Sequence, residues 1–322
     1  MKIVNGFYNM MNKNKISICI STFNRCQNLQ EAVTNIFLQT YKNFELIIIN
    51  DGSTDNTQGV LNSLKVMFPE IIIVNNKSNL GLSKSRNIAL CNASGKWFTF
   101  IDDDDVWSTT YLEQSLLSVE TSGSDACFSG AIVNGKPMNY RKKTTTVRDA
   151  LFCGHTPPVG AQFYKLSELK KVGGYDENIK TGVDHDLWLS LAAKNNIKCI
   201  FEDFSLVTPD KIANSNTVKM TTDISKRVGG IEASILKWKD RLEEIGGKKF
   251  YSYFKQEYRY YLQRRFFMMG LRQRNINLIL TVFNHKWLKN RKVYFFVRLC
   301  GYILQKKVFY RKSDVSQFKA FK

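Results

Sequence analysis

An α/β fold built on a mostly parallel sheet is what this 322-residue sequence predicts, and three observations predict it. Short β-prone runs alternate with helical stretches through the first hundred residues, the rhythm of βαβ units. Polar residues gather directly after each run, where an open α/β sheet places its ligand. The fourth run, WFTFI at 97–101, ends in four consecutive carboxylates, Asp102 to Asp105.

The elements follow in order. Lys15–Ile20 (KISICI) is the first strand, ending in Ser21-Thr22-Phe23-Asn24-Arg25 and followed by a helical stretch over Leu29–Gln39. Phe44–Ile49 (FELIII) is a second buried-strand run, ending in Asn50-Asp51-Gly52-Ser53-Thr54-Asp55, with another helical stretch behind it. Ile71–Val74 is the third strand; Asn79-Leu80-Gly81 then leads into a helix over about Ser83–Cys91, with Leu82, Ile88, Ala89 and Leu90 as its apolar positions. The acidic strand closes the series, and no internal repeat or low-complexity linker interrupts it.

Four like charges at one strand end repel unless a cation offsets them. Hard divalent ions such as Mg²⁺ and Mn²⁺ take carboxylate oxygens, keep open positions and bridge to substrate phosphates. A metal–phosphate site at the carboxyl edge of the sheet is one reading of the cluster; a solvated acidic loop is the other.

The motifs upstream and downstream carry a resemblance. Ser21-Thr22-Phe23-Asn24-Arg25, the NDGSTD segment at 50–55, KSRN at 84–87, FIDDDD at 100–105 and GGYDENIKTGVDHDLWLSLA at 173–192 resemble the inverting family 2 glycosyltransferases of GT-A fold. They occur in family order over about Lys15–Ile200. Val183 departs from the pattern, standing where the family often has Glu, and the Gln-x-x-Arg-Trp motif of processive synthases is missing. The resemblance implies a Rossmann-like mixed sheet flanked by helices, a nucleotide-sugar donor with UDP preferred, and Mn²⁺ or Mg²⁺ as cofactor.

Residue by residue, it implies the following roles. Asp102 and Asp104 fit the Asp-x-Asp pattern: Asp104 as direct metal ligand, Asp102 as metal or ribose contact. Asp103, also counted on the donor side, and Asp105 leave the register open by one residue. Asp51 is placed to accept from the N3–H of a uracil-type base, although Asp-Gly-Ser is also a common turn sequence and Ser53 to Asp55 can cap the next helix. Thr22 and Asn24 lie where base or ribose would sit. Arg25 reaches either a phosphate or a nearby carboxylate. Arg86 falls near the diphosphate, against the alternative of a surface-helix arginine; Lys84 is expected to face solvent. Asp184 matches the family's catalytic Asp at a helix start, where the macrodipole supports its charge. An N-cap role competes for it, and Asp186 and His185 compete with it for the base.

Charge divides the chain. From Lys226 onward there are 24 Lys and Arg against 6 Asp and Glu, so nearly all of the formal +19 belongs to the last hundred residues. The expected organisation is an extension at 1–14, a catalytic domain at 15–222 and a basic helical region at 223–322. That region is rich in aromatics. Ile276, Leu280, Phe283 and Trp287 share one helical face, and Val293, Phe296, Val297, Cys300 and Leu304 another. Basic amphipathic helices with aromatics read as elements lying on an anionic membrane surface. No apolar stretch is long enough to span a bilayer, Arg298 interrupting the best candidate.

A basic bundle packed on the catalytic domain and a nucleic-acid-binding tail are the competing readings. A nucleotidyltransferase on a similar fold is a third, but Ser21–Arg25 lacks the glycines of a triphosphate loop. Polymeric nucleic acid is not the expected partner, because the N-terminal part is close to neutral. Seven scattered cysteines without a Cys-x-x-Cys pair, and a polar stretch at 1–14, point to reduced thiols and the cytoplasm. Family and tail together imply a lipid-linked glycan acceptor in bacterial surface-polysaccharide synthesis (O-antigen or capsule), on the inner face of the membrane.

Overall fold

The computed structural model describes residues 14–133, 136–138, 143–147, 157–207 and 224–272, with 276 and 280. The chain divides into two compact units, Met1–Val218 and Lys219–Lys322.

The first unit begins with β1 (Ile16–Thr22), α1 (Cys26–Phe37), β2 (Phe44–Asn50), α2 (Thr57–Met67), β3 (Ile72–Asn75), α3 (Leu82–Asn92) and β4 (Trp97–Phe100). Then come β5 (Val106–Trp107), α4 (Tyr111–Ser122), β6 (Ala126–Val133), β7 (Lys136–Met138) and β8 (Lys143–Thr146). A 3₁₀ turn at Val159–Ala161, β9 (Gln162–Lys165), α5 (Leu166–Lys171), α6 (Val183–Lys194) and β10 (Lys198–Val207) complete it. The strands form one mixed sheet in the order β3-β2-β1-β4-β9-β6-β10-β5, with β7 added on β6 and β8 on β10.

The first four strands are parallel to one another, as the alternating pattern predicts. Beyond them β9 runs antiparallel to both β4 and β6, whereas β10 is parallel to β6. The sequence reading did not reach this half, where the strands follow no βαβ spacing. Strand β1 is almost wholly buried, with Ile16, Ile18 and Ile20 packed among Leu29, Val33 and Ile36 of α1. A central strand covered on both faces reads as a continuous apolar run, which KISICI is.

Register levels the strand ends. Thr22 pairs with Asn50, Asn50 with Asn75, and Cys19 with Phe100. Extending the last pairing by three residues brings Asp103 level with Thr22.

Two local expectations needed correction. Helix α1 starts at Cys26, three residues before Leu29, because its first turn has a tertiary partner: the Cys26 N–H donates to Asp55 Oδ2 at 3.3 Å. It also stops at Phe37, leaving the Gln39 side chain to bond the Ser108 carbonyl and the Leu112 N–H. Helix α3 buries Ser83, Ser85 and Arg86 along with Ala89 and Leu90, while Leu82 and Ile88 are half-exposed. Its inward face is set by small and functional residues rather than by an apolar stripe. Lys84 is exposed, as expected.

The second unit contains α7 (Ile224–Lys237) and α8 (Lys239–Arg272), the latter kinked at Gly247, whose φ of 80° no helix accommodates. An Arg259–Glu232 ion pair ties α8 to α7. Ile276 and Leu280 are exposed helical positions; Phe283, Trp287 and the face over Val293–Leu304 lie outside the described residues. Among the described residues no helix is long and apolar enough to cross a membrane.

At the opposite end of the strands from the acidic turn, Glu45 ties three segments together. Its carboxylate accepts from Ser17 Oγ at 2.5 Å, the Ser94 N–H at 2.7 Å and Ser94 Oγ at 2.8 Å, and pairs with Lys15 at 2.6 Å. Burial alone would raise its pKa; the bonds from Lys15, Ser17 and Ser94 outweigh that and hold it down at about 2. A carboxylate depressed on folding stabilises above its unfolded pKa and loses that contribution as pH falls toward the folded one. Glu45→Gln is therefore expected to cost on the order of 2 kcal/mol in urea unfolding at neutral pH. The difference from wild type should shrink between pH 4.5 and about 2.

Candidate active site

The acidic turn joins β4 to β5, and its burial alternates. Ile101, Asp103, Asp105 and Trp107 are buried, while Asp102, Asp104 and Val106 are half-buried. The backbone turns there, the Asp105 N–H donating to the Asp102 carbonyl at 3.0 Å. Asp102 and Asp104 are the partly exposed carboxylates of this turn, and Asp103 and Asp105 the buried ones.

Asp103, 2% exposed, is enclosed by its register neighbours. Thr22 Oγ1 donates to its Oδ2 at 2.7 Å and Arg25 Nη1 to its Oδ1 at 2.7 Å. Burial raises its pKa, and Arg25 and Thr22 counter that. Arg25 also reaches within 3.7 Å of Asp104 Oδ2. Of the two roles left open for Arg25, the carboxylate pair is the one present here.

Nearly half of the Asp102 side chain is open, at 48%. Its carboxyl is nonetheless pushed up to about 6: desolvation raises it, Arg86 lowers it, and the charges of Asp184, Asp104 and Asp103 raise it again. Solvent on the open side moderates that shift. Negative charge here is in excess of what the two arginines offset.

The neighbouring loops are stitched side chain to backbone. Asn24, at a positive φ of 53°, accepts from the Thr54 N–H at 2.7 Å and the Asp55 N–H at 3.3 Å, while its own N–H donates to Ser53 Oγ. Asp51 is 5% exposed and accepts from the Leu80 and Gly81 N–H groups, both at 2.9 Å, and from Asn76 Nδ2 at 2.8 Å. It fastens the turn that opens α3. Gly52 follows at φ 75°, where a Cβ would fall 2.4 Å from the Ser78 carbonyl carbon. Only glycine permits that approach.

Helix α3 carries the link to the other side of the site. Ser83, Arg86 and Asn87 lie three and four residues apart, on one face. Ser83 Oγ donates to the Ile179 carbonyl, and Asn87 bonds the Tyr175 N–H and carbonyl at 2.8 and 2.9 Å. The segment before α6 is thereby pinned to α3. Gly182, in the left-handed region, is the N-cap of α6, so Asp184 lies inside the first turn and is not the cap. Of the three candidate bases, Asp184 is open at 39%, whereas His185 and Asp186 are buried at 6% and 2%.

Arg86, 3% exposed, joins the two halves. Its Nη1 donates to Asp184 Oδ1 at 2.5 Å and its Nη2 to Asp102 Oδ1 at 3.4 Å. The guanidinium lies 5.1 Å from the Phe100 ring centroid and 5.3 Å from that of Tyr175. Burial would lower its pKa, but Asp184, Tyr175 and Asp102 raise it, so it stays charged. Here the guanidinium faces carboxylates, whereas the family resemblance implies a diphosphate.

Asp102 and Asp104 offer hard oxygen donors on the open side. Among the described residues no three His, Cys, Asp or Glu side chains converge as a metal cage. One or two carboxylates completed by substrate phosphates and water is the arrangement Mg²⁺ favours, and this pair fits it. Three contributors escaped the sequence reading. Phe23 stands 41% exposed between Thr22 and Asn24, and an aromatic within a polar strand-end motif was its signal. Asn87 and Tyr175 fell inside quoted motifs, but their partnership spans 88 positions and has no local signature.

Comparison with known proteins agrees with this architecture. Residues 17–180 match the family described as Glycosyl transferase family 2. An uncharacterized glycosyltransferase of Rickettsia conorii is 31% identical over 207 residues, 62% of this chain and 33% of that protein. The chain thus spans about a third of that relative's length. The Escherichia coli UDP-Glc:alpha-D-GlcNAc-diphosphoundecaprenol beta-1,3-glucosyltransferase WfaP is 37% identical over 106 residues, 33% of this chain and 41% of that one. Among solved structures, S. aureus TarS 1–349 in complex with UDP-GlcNAc superposes with a TM-score of 0.59 at 18% identity, covering 90% of this chain and 81% of that one. The Pyrobaculum calidifontis mannosyltransferase PcManGT, in complex with GDP-Man and Mn²⁺, gives 0.53 at 16%, covering 70% and 64%.

The fold is that of the GT-A glycosyltransferases. The chain belongs to glycosyl transferase family 2.

The alternation across the acidic turn makes a stability prediction. Asp103→Ala strands the Thr22 hydroxyl and the Arg25 guanidinium and should cost about 2 kcal/mol. Asp104→Ala, on the open side, should cost less than about 1 kcal/mol. Chemical denaturation of both variants reads the contrast, and equal costs would contradict it.

Proposed function

We propose that this protein is an inverting, metal-dependent glycosyltransferase that moves a single sugar from a nucleotide-diphosphate donor, with UDP preferred, onto a hydroxyl of a glycan acceptor. One observation carries the reading. Asp102, a half-open carboxylate at the end of β4, is joined through Arg86 to Asp184 at the start of α6, a donor-side and an acceptor-side group on one charge network.

Donor recognition falls to the strand-end loops. Phe23 offers an exposed ring on which a base can stack, with Thr22, Asn24 and Asp51 in the same loops. Any further bond from the base to Asp51 joins the three it already accepts, so the carboxylate is preoriented for it. Asp104 and Asp102 would hold the divalent ion, which when bound neutralises charge on the diphosphate leaving group. Asp184 takes the proton of the attacking hydroxyl. Attack from the face opposite the leaving diphosphate inverts the anomeric centre. UDP and GDP-Man appear in the descriptions of the structural neighbours, and an undecaprenyl-diphosphate glycan in that of WfaP; these support the donor class and a lipid-linked acceptor of bacterial surface polysaccharide.

Titrating purified protein with UDP-sugars and Mn²⁺, then assaying transfer, tests the reading. Asp104→Ala should lose Mn²⁺-dependent donor binding, whereas Asp184→Asn should keep donor binding and lose turnover, because only the proton acceptor is removed. An Asp104→Ala protein with unchanged Mn²⁺ dependence rules that residue out as ligand. Absence of turnover and hydrolysis across UDP-, GDP- and dTDP-sugars would sink the transferase reading.

The basic region at 223–322 we assign to the membrane surface, supported by its charge and its interleaved aromatics. Near an anionic bilayer each basic residue contributes about 1 kcal/mol, screened over a Debye length. The full chain should sediment with phosphatidylserine-containing vesicles, mostly release as salt rises, and keep a salt-resistant fraction through its aromatics. Tight nucleic-acid binding without vesicle binding would replace this assignment with the competing one.

A further inference from the structure

Arg86 stands at the crossing of the two halves of the site, and its surroundings limit what it can touch. It is 3% exposed, its two terminal nitrogens face Asp184 and Asp102, and the Phe100 and Tyr175 rings lie against it. Tyr175 is itself held through its main chain by Asn87, the next residue on α3. Helix α3 thus supplies both the guanidinium and the grip on one of its rings. Gly174 sets the spacing of that grip: a Cβ there would fall 2.6 Å from Asn87 Oδ1. Both terminal nitrogens of the guanidinium are thus bonded to protein carboxylates before any ligand arrives.

We infer that Arg86 is a positioning residue for Asp184, a planar strut that holds the acceptor-side carboxylate at a set distance from Asp102, and that it acts on the reaction through Asp184 rather than by binding the donor phosphates. The inference rests on the proposed function, in which Asp184 takes the acceptor proton. Its physical basis is the shape of the group. Asp102 and Asp184 repel, and only a cation with two separated donors in one plane can bond both at once. A lysine ammonium matches the charge but presents it as a point, and it does not reproduce the flat contact with the Phe100 and Tyr175 rings. Arg86→Lys should then leave Asp184 unaimed, and a misplacement of about 1 Å costs on the order of a hundredfold in rate.

The test is a double-mutant cycle with a separate binding readout. Arg86→Lys should lower kcat about a hundredfold, with the dissociation constant for UDP and Mn²⁺, measured by calorimetry, within about threefold of wild type. In an Asp184→Asn background the same change should cost almost nothing further, because residues that act as a unit are non-additive. Tyr175→Leu, which removes a ring from the enclosure, should shift kcat in the same direction, and Tyr175→Phe should restore it. These give a second route if Arg86→Lys fails to fold.

Three results would overturn the inference. They are a donor dissociation constant raised tenfold or more with kcat near wild type, a full loss added on top of Asp184→Asn, and a Tyr175→Leu enzyme indistinguishable from wild type. Failure of the base assignment is separately visible, as Asp184→Asn alone retaining turnover.

Discussion

Concentrated negative charge at one sheet edge is the constraint around which the first unit is organised. Asp102, Asp103, Asp104 and Asp105 follow one another, and Asp184 arrives from α6 to join them. Two arginines offset this: Arg25, which serves the inward-turned Asp103, and Arg86, which serves Asp102 and Asp184. Each is anchored by a different parallel βα unit, so the sheet edge and its charge balance are assembled together. The Asp102 carboxyl is pushed up mainly by desolvation, with the charges of Asp184, Asp104 and Asp103 adding to it against Arg86.

Both arginines do structural work with groups that sequence motifs assign to the ligand. Thr22, Arg25 and Asp103 bond one another, and Asn24 and Asp51 bond backbone amides of adjoining loops. These bonds tie the strand-end loops to one another, side chain to backbone. Using one carboxylate to close a turn and face a ligand also meets the demand that buried polar groups be satisfied before the ligand binds. Glu45 does the equivalent at the far end of the strands, tying β1, β2 and the turn before β4.

Much of this was legible along the chain. The four parallel strands were visible because each is a continuous apolar run bounded by turn residues, and the motif order alone places Thr22, Asp51 and Asp102 at neighbouring strand ends. The mixed half beyond β4 was not legible, since β9, β6 and β10 pair over long separations with no turn signature. Nor was the early start of α1, whose first amide relies on Asp55, 29 residues away.

The sequence by itself determined that carboxylates collect at a strand end, that the chain carries nearly all of its net positive charge in its last hundred residues, and that the motifs follow a family order. These are properties of local composition and spacing. Tertiary structure alone decided which carboxylates are open. The turn after β4 leaves Asp102 and Asp104 partly exposed and buries Asp103, and the first turn of α6 exposes Asp184 while burying His185 and Asp186. It alone decided that Arg86 faces two carboxylates and packs against two rings. Four identical side chains in a row have the same chemistry on paper. Only the strand register, which levels Asp103 with Thr22, and the packing of α3 against the segment before α6 make them different.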